Sequence, residues 1–299
     1  IIVEADEFDR SFLTLQPTLS IINNLDLEHL DCYNNLDDLQ STFIDFANKI
    51  PFYGKVAVGI DSKNIKTIIN KINKPLVTYG FDEHAEIRAV EPIFDNNHTQ
   101  FKLFVKDSFI GEIKLNIPGK HNILNALGAI SISLELNVNF NDICKGLKNY
   151  TGVRRRFEII SELENGTIIV DDYAHHPAEV KATLNAARKG WTNRIVAVFQ
   201  PHLFTRTRDF YKDFAKSFCD SDLLFITDIY GARENSIEGV SSELIINECK
   251  NNGHNNVYYV PDAENIPDVL TKYIHPKDMI ITMGAGNIWR QCEKIILRI

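Results

Sequence analysis

The densest chemistry in the chain is Asp171-Asp172-Tyr173-Ala174-His175-His176-Pro177, where two acids, a phenol and two imidazoles follow the apolar run TIIV. Packing alone does not call for such a set, whereas proton handling or ligand binding does. Zinc suits it poorly, because the histidines are adjacent on a loop with no cysteine nearby. A second group, His202, Arg206 and Arg208 in FQPHLFTRTRDF, also follows an apolar run. A positive cluster in an acidic protein points to a carboxylate or phosphate ligand. Arg154, Arg155 and Arg156 form a third group, either a phosphate clamp or a solvated basic linker. Near the start, Glu4, Asp6 and Glu7 close the run Ile1-Ile2-Val3. Carboxylates at a strand end can hold Mg²⁺, which wants oxygen ligands, or can form a plain acidic loop. His29, in NNLDLEHLD, is a surface residue or a second ligand beside Glu4. Asn122 and Asn125 lie one helical turn apart, so they share a face that reads a polar ring such as a purine, unless Asn122 is only a cap. Two tempting motifs are absent: Gly119-Lys120 is followed by His121, so it is no P-loop, and no GxxxxGK[ST] occurs. Gly284-Ala285-Gly286 has Trp289 where a dinucleotide fingerprint needs glycine, and reads better as a tight strand-to-helix turn.

These residues need elements to aim them. Residues 1–5, 18–22, 55–60 and 76–79 are short apolar runs of strand type, and the spacing of Leu36, Leu39, Phe43, Phe46 and Ile50 predicts a helix ending before Pro51. Residues 86–117 are rich in β-branched and aromatic types with Asn-Asn and Asp-Ser turns, which predicts antiparallel strands. Helices are expected over 121–136 and 141–150. After TGVRRR, a short hairpin over 157–171 precedes the strands RIVAVF, DLLFITDI, NVYYV and DMIITM, which alternate with stretches of helical length. That alternation is the mark of a mostly parallel sheet covered by helices. The chain is therefore expected to be α/β, with one domain over residues 1–152 and a second over 153–299.

Composition narrows the function. With 32 Lys+Arg against 40 Asp+Glu the net charge is −8, which argues against nucleic acid as a partner. No apolar run reaches the roughly 18 residues of a membrane span, and no signal-peptide pattern is visible. The 5 cysteines have no CxxC spacing and read as reduced thiols of a cytoplasmic protein. The opening IIVEADE has no Met, and the chain is expected to be part of a longer one.

Taken in order, VEADEFDRSFL, NNLDLEHLD, HNILNALGAI, GVRRRFE, VDDYAHHPAEV, FQPHLFTRTRDFY and MGAGNI resemble the Mur ligases of peptidoglycan synthesis, and among them the alanine-adding branch. The resemblance spans almost the whole chain. It implies the later part of a central P-loop-type ATPase domain, a mixed sheet with antiparallel strands, followed by a Rossmann-like C-terminal domain. It implies an ATP-dependent ligase that joins L-alanine to UDP-N-acetylmuramic acid through an acyl phosphate. Glu4 and His29 would bind Mg²⁺, and His121, Asn122 and Asn125 would face the adenine of ATP. Arg156 would reach the phosphates, and Asp172 would help hold the nucleotide and orient the closed state. Tyr173, His175 and Arg206 would line the amino-acid pocket, with Arg206 pairing the alanine carboxylate. The family often has Arg where this chain has Leu203, which removes one positive group. Residues 39–48 lack the lysine that several other branches carbamylate, as the alanine-adding branch does. The competing readings are a ligase that recycles a preformed tripeptide, which diverges from FQPHLFTRTR, and a binding module without turnover. Folylpolyglutamate synthases share the fold but not DDYAHHP or TRTR. The chain by itself is expected to lack ligase activity, and either to be less stable than the longer protein or to self-associate through an exposed central-domain surface.

Overall fold

The computed structural model describes residues 1–26 and 32–299. The chain divides into two compact units: Ile1–Ile93, Thr99–Asn116 and Lys120–Tyr150 form one, and Phe94–His98, Ile117–Gly119 and Thr151–Ile299 form the other. Among the described residues no helix is long and apolar enough to cross a membrane.

The first unit is built on a 6-stranded sheet in the spatial order β1 to β6. Its elements are β1 (Leu19–Ile22), α1 (Leu36–Asn48), β2 (Lys55–Gly59), α2 (Lys63–Ile68), β3 (Leu76–Gly80), β4 (Ile87–Asp95), β5 (His98–Val105), β6 (Ser108–Leu115), α3 (Lys120–Glu135) and α4 (Phe140–Asn149). β1, β2 and β3 are parallel, β4 joins β3 in parallel at Tyr79 and Gly80, and β5 and β6 are antiparallel. The apolar strand runs and the helical spacing of 36–50 thus become a sheet with α1 and α2 on it, sharing a core of Ile22, Leu39, Val56, Val58, Ile65 and Ile68. Asn35 caps α1 by accepting from the amide of Asp38, and Ser62 caps α2 through the amide of Ile65. The strand expected over residues 1–5 does not form. Residues 1–7 have no strand structure, and Ile1, Ile2 and Val3 are exposed.

The second unit comprises β7 (Glu158–Glu162), β8 (Ile168–Asp172), α5 (Pro177–Gly190), β9 (Ile195–Phe199), α6 (Phe204–Ser217), β10 (Leu223–Ile226), α7 (Glu243–Asn251), β11 (Val257–Tyr259), α8 (Ile266–Leu270), β12 (Met279–Met283) and α9 (Gln291–Arg298). The sheet order is β11-β10-β9-β12-β8-β7, with β7 alone antiparallel. Strand alternation sends Val170, Ala197, Phe199 and Ile281 to one face, against Val180, Leu184, Phe214 and Ile245 of α5, α6 and α7. Ile169, Val196, Val198 and Ile280 point to the other face, against Ile266 and Leu270 of α8 and Cys292 and Ile295 of α9. Both faces are covered, which is why the strands read as unbroken apolar runs. The chain runs β8, β9, β10, β11 outward and then returns to insert β12 between β8 and β9. The loops after β8, β9 and β12 therefore converge at one edge, where such sheets bind ligands.

Candidate functional site

In the first unit the loops past β1 and β3 meet the start of α3. Tyr79, fully buried on β3, donates to Asn23 Oδ1 at 2.5 Å. Asn23 Nδ2 donates to Asn125 Oδ1 at 3.3 Å, and Asn125 Nδ2 donates to Asn122 Oδ1 at 3.3 Å. Burial raises the Tyr79 phenol, so it stays a neutral donor that fixes the first amide. Gly128 brings α3 against this row: a Cβ there would lie 3.0 Å from Ile21 Cγ2 and 3.3 Å from Asn23 Oδ1. Asn122 is not a cap, because α3 already begins at Lys120, and Lys120 Nζ sits 4.4 Å from the centre of the Phe81 ring. His121 is half-buried on the same first turn. Asn23 and Tyr79 were not singled out by the sequence; Asn23-Asn24 directly after a strand was the available signal.

The acidic segment is held from behind. Tyr33 donates to the carbonyl of Glu7 at 2.6 Å, and Arg10 pairs with Asp38 at 2.7 Å and with the carbonyl of Cys32 at 3.0 Å. Glu4 is exposed. His29 lies outside the described residues. Among the described residues no group of three or more His, Cys, Asp or Glu is arranged to hold a metal. Of the two expected magnesium ligands, Glu4 offers a carboxylate of the oxygen kind that Mg²⁺ prefers.

The second unit carries the richer constellation. Asp172, at the end of β8, is buried and accepts from the amide of Ala174 at 2.8 Å, the amide of Phe157 at 2.9 Å and the Thr183 hydroxyl at 2.9 Å. Burial pushes its carboxyl up to about 6, against those three bonds and Arg156. Both of its oxygens thus serve the protein, holding the turn before β7 and the loop after β8. In this structure Asp172 therefore positions the loop after β8. Asp171 is likewise taken, by Arg155 Nε at 2.8 Å and Thr282 Oγ1 at 2.6 Å. Arg155 also donates to the carbonyl of Gly284 at 2.7 Å, and its guanidinium lies 4.8 Å from the Tyr173 ring centre. The left-handed backbone of Arg155 (φ 60°) and Phe157 (φ 46°) brackets Arg156.

Tyr173, His175, His202 and Tyr230 form a row of rings. Their centroids are 5.2, 6.1 and 5.9 Å apart in turn. His175 Nδ1 lies 2.9 Å from the Tyr173 carbonyl. A carbonyl only accepts, so Nδ1 carries the proton and Nε2 is left as the basic nitrogen. Burial lowers the His175 pKa, aided by Arg206 and Arg156 and opposed by Glu179 and the Tyr173 carbonyl. Burial, then Arg206 and His175, lower His202 to about 4. Its Nδ1 faces Arg206 Nη1 at 3.4 Å, and a guanidinium only donates, so that nitrogen is the acceptor. Both imidazoles are neutral at pH 7. Leu203 starts α6 with a left-handed backbone (φ 72°), held by its amide on the Tyr230 carbonyl at 3.0 Å, and so turns Arg206 into the row.

Glycine makes the close approach possible. A Cβ on Gly286 would lie 2.3 Å from Gln200 Oε1 and 2.8 Å from Tyr230 Cγ. Gln200 Oε1 accepts from the amides of Asn287 and Ile288 at 3.0 and 3.2 Å, tying the loop after β12 to the end of β9. The turning role read for Gly284-Ala285-Gly286 is the one observed. Tyr173, His175 and Arg206 are brought to one edge, as the sequence suggested, while Glu179, Gln200, Tyr230 and Glu234 were missed. Glu234 accepts from the amide of Thr205 at 3.1 Å and from its hydroxyl at 2.5 Å. Its partner lies far away in sequence, so no local pattern announces it.

Residues 2–133 match the family model "Mur ligase middle domain", and residues 155–286 match "Mur ligase, glutamate ligase domain". The chain is 43% identical over 296 residues to a UDP-N-acetylmuramate–L-alanine ligase of Geotalea daltonii, covering 99% of this chain and 64% of that protein. It therefore spans about two thirds of the length of the curated relative it matches. Among solved structures, UDP-N-acetylmuramate-alanine ligase from Thermotoga maritima superposes with a TM-score of 0.81 at 24% identity, over 98% of this chain and 62% of that one. A MurF ligase from Thermotoga maritima, in complex with ADP, gives a TM-score of 0.72 at 14% identity, over 94% and 61%. These two show a shared fold.

Proposed function

This chain belongs to the Mur ligase family, and from that premise we propose that the whole protein is a cytoplasmic ligase that joins L-alanine to UDP-N-acetylmuramic acid at the expense of ATP. The observation that carries this reading is the 43% identity along 99% of the chain with a relative of that name. The muramate carboxylate attacks the γ-phosphate of ATP, giving an acyl phosphate and releasing ADP; the alanine amine, after giving up a proton, attacks the acyl carbonyl, and phosphate leaves. The reaction needs positioned charge more than a protein nucleophile.

His121, Asn122 and Asn125 are assigned to the adenine. The support is the amide row that Tyr79 and Asn23 hold in one orientation, since fixed amides are what a ring with both donors and acceptors requires. Arg156 is assigned to the phosphates. Arg206 is assigned to the alanine carboxylate, and Tyr173 to the wall of the pocket. His175 is assigned to accept a proton from the alanine ammonium; the support is its unprotonated Nε2, which burial keeps so. Asp172 holds the loop that presents these groups. Glu4 and His29 would be the ligands of a magnesium ion that offsets charge on the phosphates.

The test is phosphate release by the whole protein from ATP with UDP-N-acetylmuramate, adding either L-alanine or the recycled tripeptide. Release that needs L-alanine supports the assignment. Release only with the tripeptide replaces it by the recycling reaction, and silence with both removes it.

A further inference from the structure

Glu179 lies on the first turn of α5 and touches both halves of the second-unit site. Its Oε1 accepts from Arg156 Nη1 at 3.0 Å. Its Oε2 accepts from the amide of His175 at 3.0 Å and the amide of His176 at 3.2 Å, and lies 3.3 Å from His175 Nδ1. Pro177 begins the helix and sets the direction in which Glu179 points back at the loop. A capping glutamate would need only the backbone amides. The arginine on its other oxygen is beyond what capping asks.

We propose that Glu179 is a positioning residue that links the phosphate-facing Arg156 to the amine-facing His175, so that a phosphate drawing Arg156 away raises the basicity of His175. The proposal rests on the functional reading above. The physics is a shared carboxylate. While Arg156 is bound to Oε1, its positive charge offsets the field that Glu179 exerts on the imidazole. Once Arg156 turns to a phosphate, that offset falls and the carboxylate favours the imidazolium. The proton acceptor for the alanine ammonium is then strengthened only when the phosphate donor is in place.

The groups facing His175 are Glu179 of α5, Arg156 and Tyr173 on either side of β8, and His202 and Arg206 after β9. Burial raises the Glu179 carboxyl, but His175, the His175 amide and Arg156 outweigh it and hold the group below its ordinary value, so it is charged at pH 7.

The whole protein, with its histidines isotopically labelled, would be titrated by NMR with and without a non-hydrolysable ATP analogue. In the wild type the His175 pKa is expected to rise on nucleotide binding. In Glu179→Gln it should start lower by about one pH unit, for want of the opposite charge, and should not respond to nucleotide. The kcat for phosphate release should fall about 10- to 100-fold, with KM for ATP changed less. Arg156→Gln is the independent variant: it should raise the resting His175 pKa without nucleotide. It also decides the matter if Glu179→Gln does not fold. Equal His175 pKa values in the wild type and the variant that folds would overturn the coupling. If the wild type lacks alanine-dependent phosphate release, the functional reading fails, while the titration still judges the link itself.

Discussion

At the scale of single residues, the site combines charged groups assigned to ligands with carboxylates that hold its loops. Arg206 sits beside the His202 ring in the row of aromatic surfaces, and its guanidinium suits a carboxylate ligand. Arg206→Ala is expected to raise KM for L-alanine by about 10- to 100-fold, the worth of a charged hydrogen bond, with KM for ATP little changed. Initial rates over an L-alanine series check this. Asp172 contrasts with it. Asp172→Ala leaves two buried amides and a hydroxyl without their acceptor, at about 1–3 kcal/mol each. Relief of burying the carboxylate returns part of that. The net expectation is a loss of about 2 kcal/mol or more, read from the urea midpoint, with activity lost through the loop it holds. His202 gives a pH signature. It is neutral in the folded chain down to about 4, whereas an unfolded histidine takes up a proton below about 6.5. The unfolded state therefore binds more protons in that window, and stability is lost as pH falls through it. Asp172, raised to about 6, works in the opposite sense below that pH, so the comparison must isolate His202. Between pH 7.5 and 5, the wild type should lose more urea stability than His202→Gln; equal losses would contradict the assignment.

At the scale of elements, the sequence was most readable where one element owns the signal. The apolar runs at β8, β9 and β12 and the charged stretches after them lie side by side in the chain, so Tyr173, His175 and Arg206 could be picked out beforehand. What was not legible depends on elements distant in sequence being adjacent in space. Gln200 serves a loop after β12, Glu234 caps α6 from beyond β10, and Tyr79 orients an amide at the end of β1. The strand predicted at residues 1–5 failed for a related reason. A short apolar run is only a candidate until another strand pairs with it. Gly286 tests the packing between elements. Its flat approach to Gln200 and Tyr230 leaves no room for a methyl group. Gly286→Ala should cost about 1–3 kcal/mol by thermal or urea unfolding, and should weaken L-alanine saturation through Tyr230. The same substitution at Gly146, where a Cβ meets nothing within 4 Å, is the control and should gain stability slightly, by helix propensity.

At the scale of the whole molecule, each unit has a sheet and a buried core of its own, and the family models match on either side of the same stretch. We propose a division near residue 152, as the TGVRRR composition suggested. Val153 and Arg154 are exposed and belong to no helix or strand. A protease needs a stretch of chain to yield locally, and exposed chain outside helices and strands can yield without opening a core. Trypsin at low ratio should therefore cut first after Arg154, which is exposed, ahead of Arg155, whose guanidinium is tied to Asp171 and the Gly284 carbonyl. The products should be two resistant pieces separated at that bond, identified by intact mass. Asp171→Asn would loosen Arg155 and should speed the cut, leaving the site of cleavage the same. Early cleavage within either core, ahead of Arg154, would count against the division and would point to a single cooperative body instead.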